Sequence, residues 1–257
     1  MPFIEVQGKR LEYQRLLPEQ GIQSQPTIVL LHEGLGSISL WRDFPQKLAN
    51  TTGHEVLVYS RYGYGNSESA NGFAFKYMHD EGLLSLPELL ELLKIEHPIL
   101  LGHSDGASIT LIAASGSAIK PKAVIVMAPH VMVEPICFSA IEQASKVYET
   151  TDLKEKLGKH HANVDSAFLG WSGAWLSDKF KNWNIEEYLP GITCPILTIQ
   201  GYEDEYGTMA QLDAIAKQAS NAKVVETLRI KNCRHSPHKD HPETVLTAIN
   251  SFITNKI

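Results

Sequence analysis

The sequence Gly-His-Ser-Asp-Gly at positions 102–106 constrains the fold of this chain more than any other stretch. Residues 98–101 before it are a short apolar run, typical of a buried strand. Residues 107–114 after it are small and apolar and can pack as a helix on a sheet. A Gly-x-Ser-x-Gly turn between strand and helix is a nucleophile elbow, which exposes its serine above the sheet. The pattern therefore predicts an α/β fold with Ser104 as the candidate nucleophile.

A serine hydroxyl is a weak nucleophile at neutral pH and needs a base, with an acid that orients the base. Residues 194–200 predict a buried strand that leads into an acidic loop with Asp204 between Glu203 and Glu205. Residues 223–230 alternate as a strand does and lead to His235. Both loops follow the carboxyl end of a predicted strand, where open α/β sheets place reactive groups.

With the order Ser104, Asp204, His235 and the pattern Gly-x-x-Asp ending at Asp204, the chain resembles the α/β-hydrolase superfamily over nearly its whole length. The resemblance implies that Ser104 is the nucleophile, Asp204 the triad acid and His235 the general base, with the two neighbouring glutamates as rival acids. One position departs from the family pattern: the residue before the base is usually glycine, and here it is Arg234.

A second landmark follows the apolar run at 27–31, where the chain reads His-Glu-Gly-Leu-Gly before Trp41. Members of the superfamily usually have His-Gly-x-Gly there, and a backbone N–H of that loop joins the N–H of the residue after the nucleophile. The resemblance implies that Gly34 and Asp105 donate these two hydrogen bonds to the oxyanion. Glu33 occupies the position of the usual glycine.

Glu33 and Asp105 would flank the oxyanion donors with two negative charges. A carboxylate there opposes a developing oxyanion unless it points away or is neutralised. Glu33 could turn outward and cap its loop. Alternatively, the neutralising group is a cation such as Arg234, or an ammonium group of the substrate. The last alternative gives the hypothesis that esters bearing an α-amino group are preferred, since hydrogen bonds to charged groups contribute about 1.5–3 kcal/mol.

Strand-like and helix-like segments alternate up to residue 128 and again from residue 195. This alternation predicts a mostly parallel central sheet with helices on both faces. Helices are expected at 41–50 and 77–94, the second kinked or split by Pro87. The domain prediction is an α/β-hydrolase core formed by residues 1–129 and 192–257, with a helical cap insertion at 130–191.

The predicted cap contains helix-like stretches and three of the four tryptophans of the chain. Trp171 and Trp175 are four residues apart and share one helix face. These rings could simply attach the cap to the core. Alternatively, they line an apolar substrate pocket between cap and sheet. Both are therefore candidate substrate-binding residues, together with Glu33.

Composition limits the partners of the chain. The net charge is −6 and no basic block is present, which argues against nucleic acid or an anionic membrane as partner. The start of the chain lacks a signal-peptide pattern, and three cysteines without metal spacing favour a reducing cytoplasm. His235, His238 and His241 are spaced three residues apart, but no acidic residues or cysteines cluster with them to complete the coordination shell of a metal. Neither a metal nor another cofactor is therefore expected. The expected partner is a small acyl substrate; the oligomeric state stays open.

The residues favour a serine hydrolase that cleaves a small or medium carboxylic ester or related acyl compound. Haloalkane dehalogenases and epoxide hydrolases belong to the same superfamily but have aspartate as the nucleophile. Ser104 at that position argues against both classes. Hydrolysis of a carbon–carbon bond in a diketone acid remains an alternative. Enzymes of that kind usually have tryptophan after the base, whereas this chain has Ser236. A hydrolase-fold ligand receptor with little turnover is the other alternative.

Overall fold

Eight strands form one sheet in the protein, whose computed structural model describes residues 1–22 and 24–257. In chain order the strands are β1 (Phe3–Val6), β2 (Lys9–Leu16), β3 (Ser24–Leu31), β4 (His54–Tyr59), β5 (Ile99–His103), β6 (Ala123–Met127), β7 (Ile196–Gly201) and β8 (Val225–Ile230). Their order across the sheet is β1-β2-β4-β3-β5-β6-β7-β8. The pairs β1–β2 and β2–β4 are antiparallel and all other pairs are parallel. The predicted mostly parallel sheet is confirmed.

Ten α-helices accompany the sheet in the described part of the chain. They are α1 (Phe44–Thr52), α2 (Tyr77–Asp80), α3 (Leu86–Leu92), α4 (Asp105–Gly116), α5 (Pro135–Thr150), α6 (Leu153–Gly158), α7 (Val164–Trp175), α8 (Ala210–Gln218), α9 (Pro237–Asp240) and α10 (Pro242–Lys256). None of these helices is long and apolar enough to cross a membrane.

Apolar side chains cover both faces of the sheet. Helices α1 and α10 pack on one face, and α3, α4 and α8 pack on the other. Every residue of β5 and β6 is buried, as expected for parallel strands between two helical layers. The prediction of helices on both faces is therefore confirmed.

Two helix predictions have different boundaries in the structure. The expected helix at 41–50 begins later, because residues Ile38–Trp41 form a 3₁₀ turn and α1 starts at Phe44. The expected helix at 77–94 consists of α2, a π-type turn at Glu81–Ser85, and α3. These three segments follow one another without a break, so Pro87 lies within a continuous helical stretch. Its ring conflicts with the carbonyl of residue 83, which lies in the π-type turn, and the predicted interruption by Pro87 is present there.

Residues 130–191, between β6 and β7, contain α5, α6, α7 and two 3₁₀ turns, and are called the insert below. Trp175 and Trp183 pack with Phe180, whose ring centroid lies 4.7 Å from Trp175 and 5.5 Å from Trp183. All three side chains are almost fully buried. This aromatic cluster is continuous with the apolar core on the α3 and α4 face of the sheet, so it joins the insert to the rest of the protein.

Candidate active site

Ser104 lies in a sharp turn between β5 and α4. Its backbone angles, φ 54° and ψ −119°, are in a region that residues with side chains rarely adopt. A Cβ on Gly102 would lie 2.2 Å from the carbonyl oxygen of Gly106, and a Cβ on Gly106 would lie 2.1 Å from that of Leu31. Only glycine fits at either position, so the sequence pattern produces the elbow by steric exclusion.

Ser104, His235 and Asp204 form a hydrogen-bonded chain. The Ser104 hydroxyl donates to His235 Nε2 over 2.9 Å, and His235 Nδ1 donates to Asp204 Oδ1 over 2.8 Å. Asp204 also accepts from the backbone N–H of Tyr206 over 2.9 Å and from the Gln200 amide over 3.1 Å. These bonds fix the carboxylate and leave the Nε2 lone pair of the imidazole facing the serine hydroxyl.

The charges in this chain of hydrogen bonds favour proton transfer from serine to histidine. Burial alone would raise the pKa of Asp204, but the adjacent His235 lowers it to about 2, so the carboxylate is ionised at neutral pH. Burial alone would lower the pKa of His235, but the charge and hydrogen bond of Asp204 hold it above its ordinary value. The imidazole is consequently a stronger base than a free histidine.

Neither rival acid contacts the His235 ring. The Glu203 carboxylate accepts from the backbone N–H of Cys233 over 3.0 Å. The Glu205 carboxylate accepts from the backbone N–H of His235 over 3.2 Å and forms a salt bridge of 3.0 Å with Arg234. Of the three acidic residues in this loop, only Asp204 reaches the imidazole.

Gly34 and Asp105 lie on either side of Ser104 at the same edge of the sheet. Strands β3 and β5 are parallel neighbours in which Leu31 pairs with Gly102, so the segments that follow them emerge together. Gly34, Asp105 and Ser104 line one cavity of about 220 Å³. The backbone therefore brings together the two predicted oxyanion donors and the serine.

The Asp105 side chain turns down into a buried polar cluster. Its Oδ1 accepts from the Trp175 indole N–H over 3.2 Å, its Oδ2 accepts from the Tyr77 hydroxyl, and the Arg61 guanidinium lies 4.0 Å away. Burial raises the pKa of Asp105, although Arg61 and both donors act in the opposite direction. The cation beside Asp105 is therefore Arg61, and the expectation that Arg234 neutralises it is wrong.

Glu33 does not turn outward to cap its loop. Its carboxylate lies 3.4 Å from Lys239 Nζ and 3.5 Å from His103 Nδ1, directly beside the elbow. Burial alone would raise the pKa of Glu33, but these neighbours hold it well below its ordinary value. Since Arg61 and Lys239 compensate the two carboxylates, the site does not need a substrate ammonium group for charge balance.

The insert contributes much of the cavity wall. Trp171 and Trp175, the two tryptophans predicted to share a helix face, both line the cavity. Sequence reasoning missed further lining residues, namely His130, Cys137, Ile141 and Tyr206. Open α/β sheets place reactive groups after the carboxyl ends of their strands, which is how Asp204 was predicted. His130 follows the carboxyl end of β6 and could have been predicted in the same way.

His130 lies close to the catalytic histidine candidate without joining the hydrogen-bonded chain. Its ring packs edge-on against Trp175 at 5.2 Å and lies 5.8 Å from the His235 ring. Burial and the nearby His235 lower the pKa of His130 to about 4. His130 is therefore a neutral imidazole at neutral pH.

The alpha/beta hydrolase family model matches residues 28–248, a stretch that includes all of the candidate site residues described above. The chain belongs to this family. Among curated proteins, a proline iminopeptidase of Lactobacillus helveticus (strain DPC 4571) is 29% identical over 112 residues, which are 44% of this chain and 36% of the relative. The match thus spans about a third of that relative's length.

Solved structures of this hydrolase fold resemble the chain over its full length. An alpha/beta hydrolase enzyme from a Medee basin deep-sea metagenome library matches with a TM-score of 0.78 at 21% identity, covering 100% of this chain and 98% of the other. The enol-lactonase from Burkholderia xenovorans LB400 matches with a TM-score of 0.76 at 20% identity, covering 99% and 100%. At such identities the likeness shows a shared fold.

Proposed function

We propose that this hydrolase cleaves a small or medium carboxylic ester or related acyl compound through an acyl-enzyme on Ser104. The observation that carries the proposal is the chain of two hydrogen bonds, 2.8 Å and 2.9 Å long, from Asp204 through His235 to Ser104. A serine beside a base that a carboxylate orients is the arrangement that acyl transfer requires.

In the first half of the reaction, Ser104 Oγ attacks the carbonyl carbon while His235 Nε2 takes the hydroxyl proton. The carbonyl oxygen becomes an oxyanion, which accepts hydrogen bonds from the backbone N–H groups of Gly34 and Asp105. Each such donor contributes about 10²–10³ in rate. The tetrahedral intermediate then collapses, the carbon–oxygen bond to the alcohol breaks, and His235 returns its proton to the departing oxygen.

Water completes the reaction at the same carbonyl. His235 takes a proton from the water as its oxygen attacks the acyl-enzyme, and the oxyanion forms again between Gly34 and Asp105. When the bond to Ser104 breaks, the serine oxygen recovers the proton from His235. The products are a carboxylic acid and the alcohol, and the enzyme returns to its starting state.

The cavity supports an uncharged acyl group of modest size. Its volume is about 220 Å³ and its walls include Ile141, Trp171 and Trp175. Because Asp105 and Glu33 already face cations, we propose that esters without an ammonium group are the better substrates. Residues 130–191 would then act as a cap that sets acyl chain length over a core formed by 1–129 and 192–257.

The three cysteines support a cytoplasmic location within this proposal. Cys137, Cys194 and Cys233 are all buried and none forms a disulfide. Unpaired cysteines are usual in reducing compartments.

An activity screen tests the reaction class directly. The purified protein is assayed with p-nitrophenyl esters of increasing chain length, lactones, thioesters, and paired esters with and without an α-amino group. We expect burst release of p-nitrophenol and an equal or higher kcat/KM for uncharged esters. Ser104→Ala is the matched control and should show neither the burst nor turnover.

The same screen separates the alternatives. Turnover of ring-fission diketone acids without turnover of esters would assign carbon–carbon hydrolysis instead. A fluorophosphonate probe that leaves Ser104 unlabelled, together with no turnover, would favour a ligand receptor. For the acid, Asp204→Asn should reduce kcat far more than Glu203→Gln, and equal losses would contradict the assignment of Asp204.

A further inference from the structure

A second cavity has a volume of about 380 Å³, and its walls include Arg61 and Tyr77, which both contact the Asp105 carboxylate. It opens between the β1–β2 hairpin and the segment formed by α2 and the π-type turn. Leu11, Phe73 and Leu84 contribute apolar surface. The ionisable side chains of the lining are two cations and two acids, namely Lys9, Arg61, Asp80 and Glu81. Its volume falls in the range of about 300–1,000 Å³ that is typical of small-molecule sites.

Arg61 connects this cavity to both oxyanion-hole segments. Its Nη2 donates to the carbonyl oxygen of Glu33 over 3.0 Å and to that of His32 over 3.3 Å, immediately before Gly34. The same guanidinium lies 4.0 Å from the carboxylate of Asp105. One cation therefore anchors the two backbone segments whose N–H groups face the oxyanion.

The Arg61 guanidinium retains an unused donor. Only 2% of the residue is exposed, and within the described chain no group accepts a hydrogen bond from its Nε. A buried charged donor without a partner costs free energy in the folded protein, so it marks a place where an additional acceptor is stabilising. A carboxylate is the natural acceptor, because it matches the forked geometry of a guanidinium.

Glu81 occupies the same cavity wall and begins the π-type turn at Glu81–Ser85. Such turns are rare and often mark functional sites. The Glu81 carboxyl is 7% exposed and accepts from the Tyr59 hydroxyl over 2.7 Å. Burial raises the pKa of Glu81 despite the opposing effect of Arg61.

We propose that the second cavity binds a small monocarboxylate with an apolar chain, whose carboxylate pairs with Arg61 and whose chain lies along Phe73 and Leu84. The acid released by ester cleavage belongs to this class, so the regulatory part of the proposal rests on the proposed function.

Binding in this cavity should reduce the rate without blocking the substrate. A carboxylate on Arg61 competes with Asp105 and with the carbonyl groups of His32 and Glu33 for the same guanidinium. The oxyanion donors are then less firmly positioned, whereas the substrate pocket stays open. We expect hexanoate to lower kcat by about fivefold at saturation, with KM for a p-nitrophenyl ester nearly unchanged.

Calorimetry on protein labelled at Ser104 with a fluorophosphonate isolates the second cavity, because the label fills the active site. Hexanoate should still bind with a stoichiometry near one, and hexanol should bind about tenfold more weakly because it lacks the charge. Leu84→Glu should weaken hexanoate binding by about fivefold and Leu84→Lys should strengthen it. Leu92→Glu is the control, since Leu84 and Leu92 are similarly exposed, at 52% and 49%, and only Leu84 lines the cavity.

Purely competitive inhibition, or loss of hexanoate binding on labelling, would assign the carboxylate to the active site and overturn the proposal. Equal effects of Leu84→Glu and Leu92→Glu would do the same. If the chain lacks esterase activity and resists labelling, the opposed Leu84 variants still decide the binding site in the unlabelled protein. Failure of the proposed function is thereby distinguished from failure of this inference.

Discussion

Substituting alanine for Gly34 tests how closely the insert packs on the oxyanion loop. A Cβ at this position would lie 2.2 Å from Trp171 Nε1 and 2.5 Å from its Cδ1. Comfortable contacts between heavy atoms begin at about 3.5 Å, so the loop or the ring must move by about 1.3 Å. The Trp171 ring is 94% buried, since its exposed fraction is 6%, and it packs edge-on against Phe168. The loop is therefore the part that moves.

A displacement of that size takes the Gly34 N–H out of hydrogen-bond range of the oxyanion. Losing one such donor costs about 10²–10³ in rate, so we expect Gly34→Ala to lower kcat by about 100-fold. Adding Trp171→Leu removes the ring that collides with the new methyl group. The double variant should recover at least about tenfold in kcat, a non-additive result expected for residues in contact.

The assay is steady-state hydrolysis of a p-nitrophenyl ester, with thermal unfolding measured in parallel. Gly173→Ala provides the control, because it makes the same substitution on the helix of Trp171 with no atom within 4 Å of the new Cβ. It should keep kcat and leave Tm equal or higher, since alanine stabilises helix interiors relative to glycine. A Gly34→Ala enzyme within threefold of wild type, or losses that multiply in the double variant, would refute the reasoning.

Three further predictions concern the same site. Ser104→Ala and His235→Ala should each lower kcat by about 10³-fold or more, and the double variant should be little worse, because the residues act as one unit; multiplying losses would contradict this. An imidazolium cannot accept the serine proton, so kcat/KM should fall as the pH drops through the raised pKa of His235. Asp204→Asn should move that fall to lower pH, and an unshifted pH profile would show that Asp204 does not raise the pKa of His235. Trp175→Phe removes one donor to the buried Asp105 carboxylate, so urea unfolding should show a loss of about 1–3 kcal/mol together with a lower kcat; unchanged stability would mean that the bond contributes nothing.

Short-range sterics explain why the elbow could be predicted from sequence. A side chain at Gly102 would meet the backbone of Gly106 in the same turn, and one at Gly106 would meet the backbone of Leu31 on the neighbouring strand β3, so the turn requires glycine at both positions. The approach of His235 to Ser104 follows from sheet order, because β5, β7 and β8 end at one edge. Both features can therefore be predicted from the local sequence pattern and the parallel pairing of the strands.

Other parts of the site depend on contacts that sequence spacing does not encode. No sequence pattern marks Arg61 as the cation beside Asp105, and it takes that place because β4 and β5 flank β3 and end together. The sequence leaves open whether Glu33 faces outward or is neutralised beside the site, and the positions of Lys239 on α9 and of His103 determine its orientation. The π-type turn at Glu81–Ser85, by contrast, agrees with the proline signal, because the Pro87 ring conflicts with the carbonyl of Leu83 inside that turn.

The insert separates the proposed nucleophile from the two residues proposed to activate it. Ser104 belongs to the part of the chain before residue 130, whereas Asp204 and His235 belong to the part after residue 191. The two parts meet along the parallel register of β6 and β7, where Val124 pairs with Ile196. A single proteolytic nick in the insert should thus leave two fragments, each inactive alone, and recovered hydrolysis would report their reassociation along β6 and β7 and between α1 and α10.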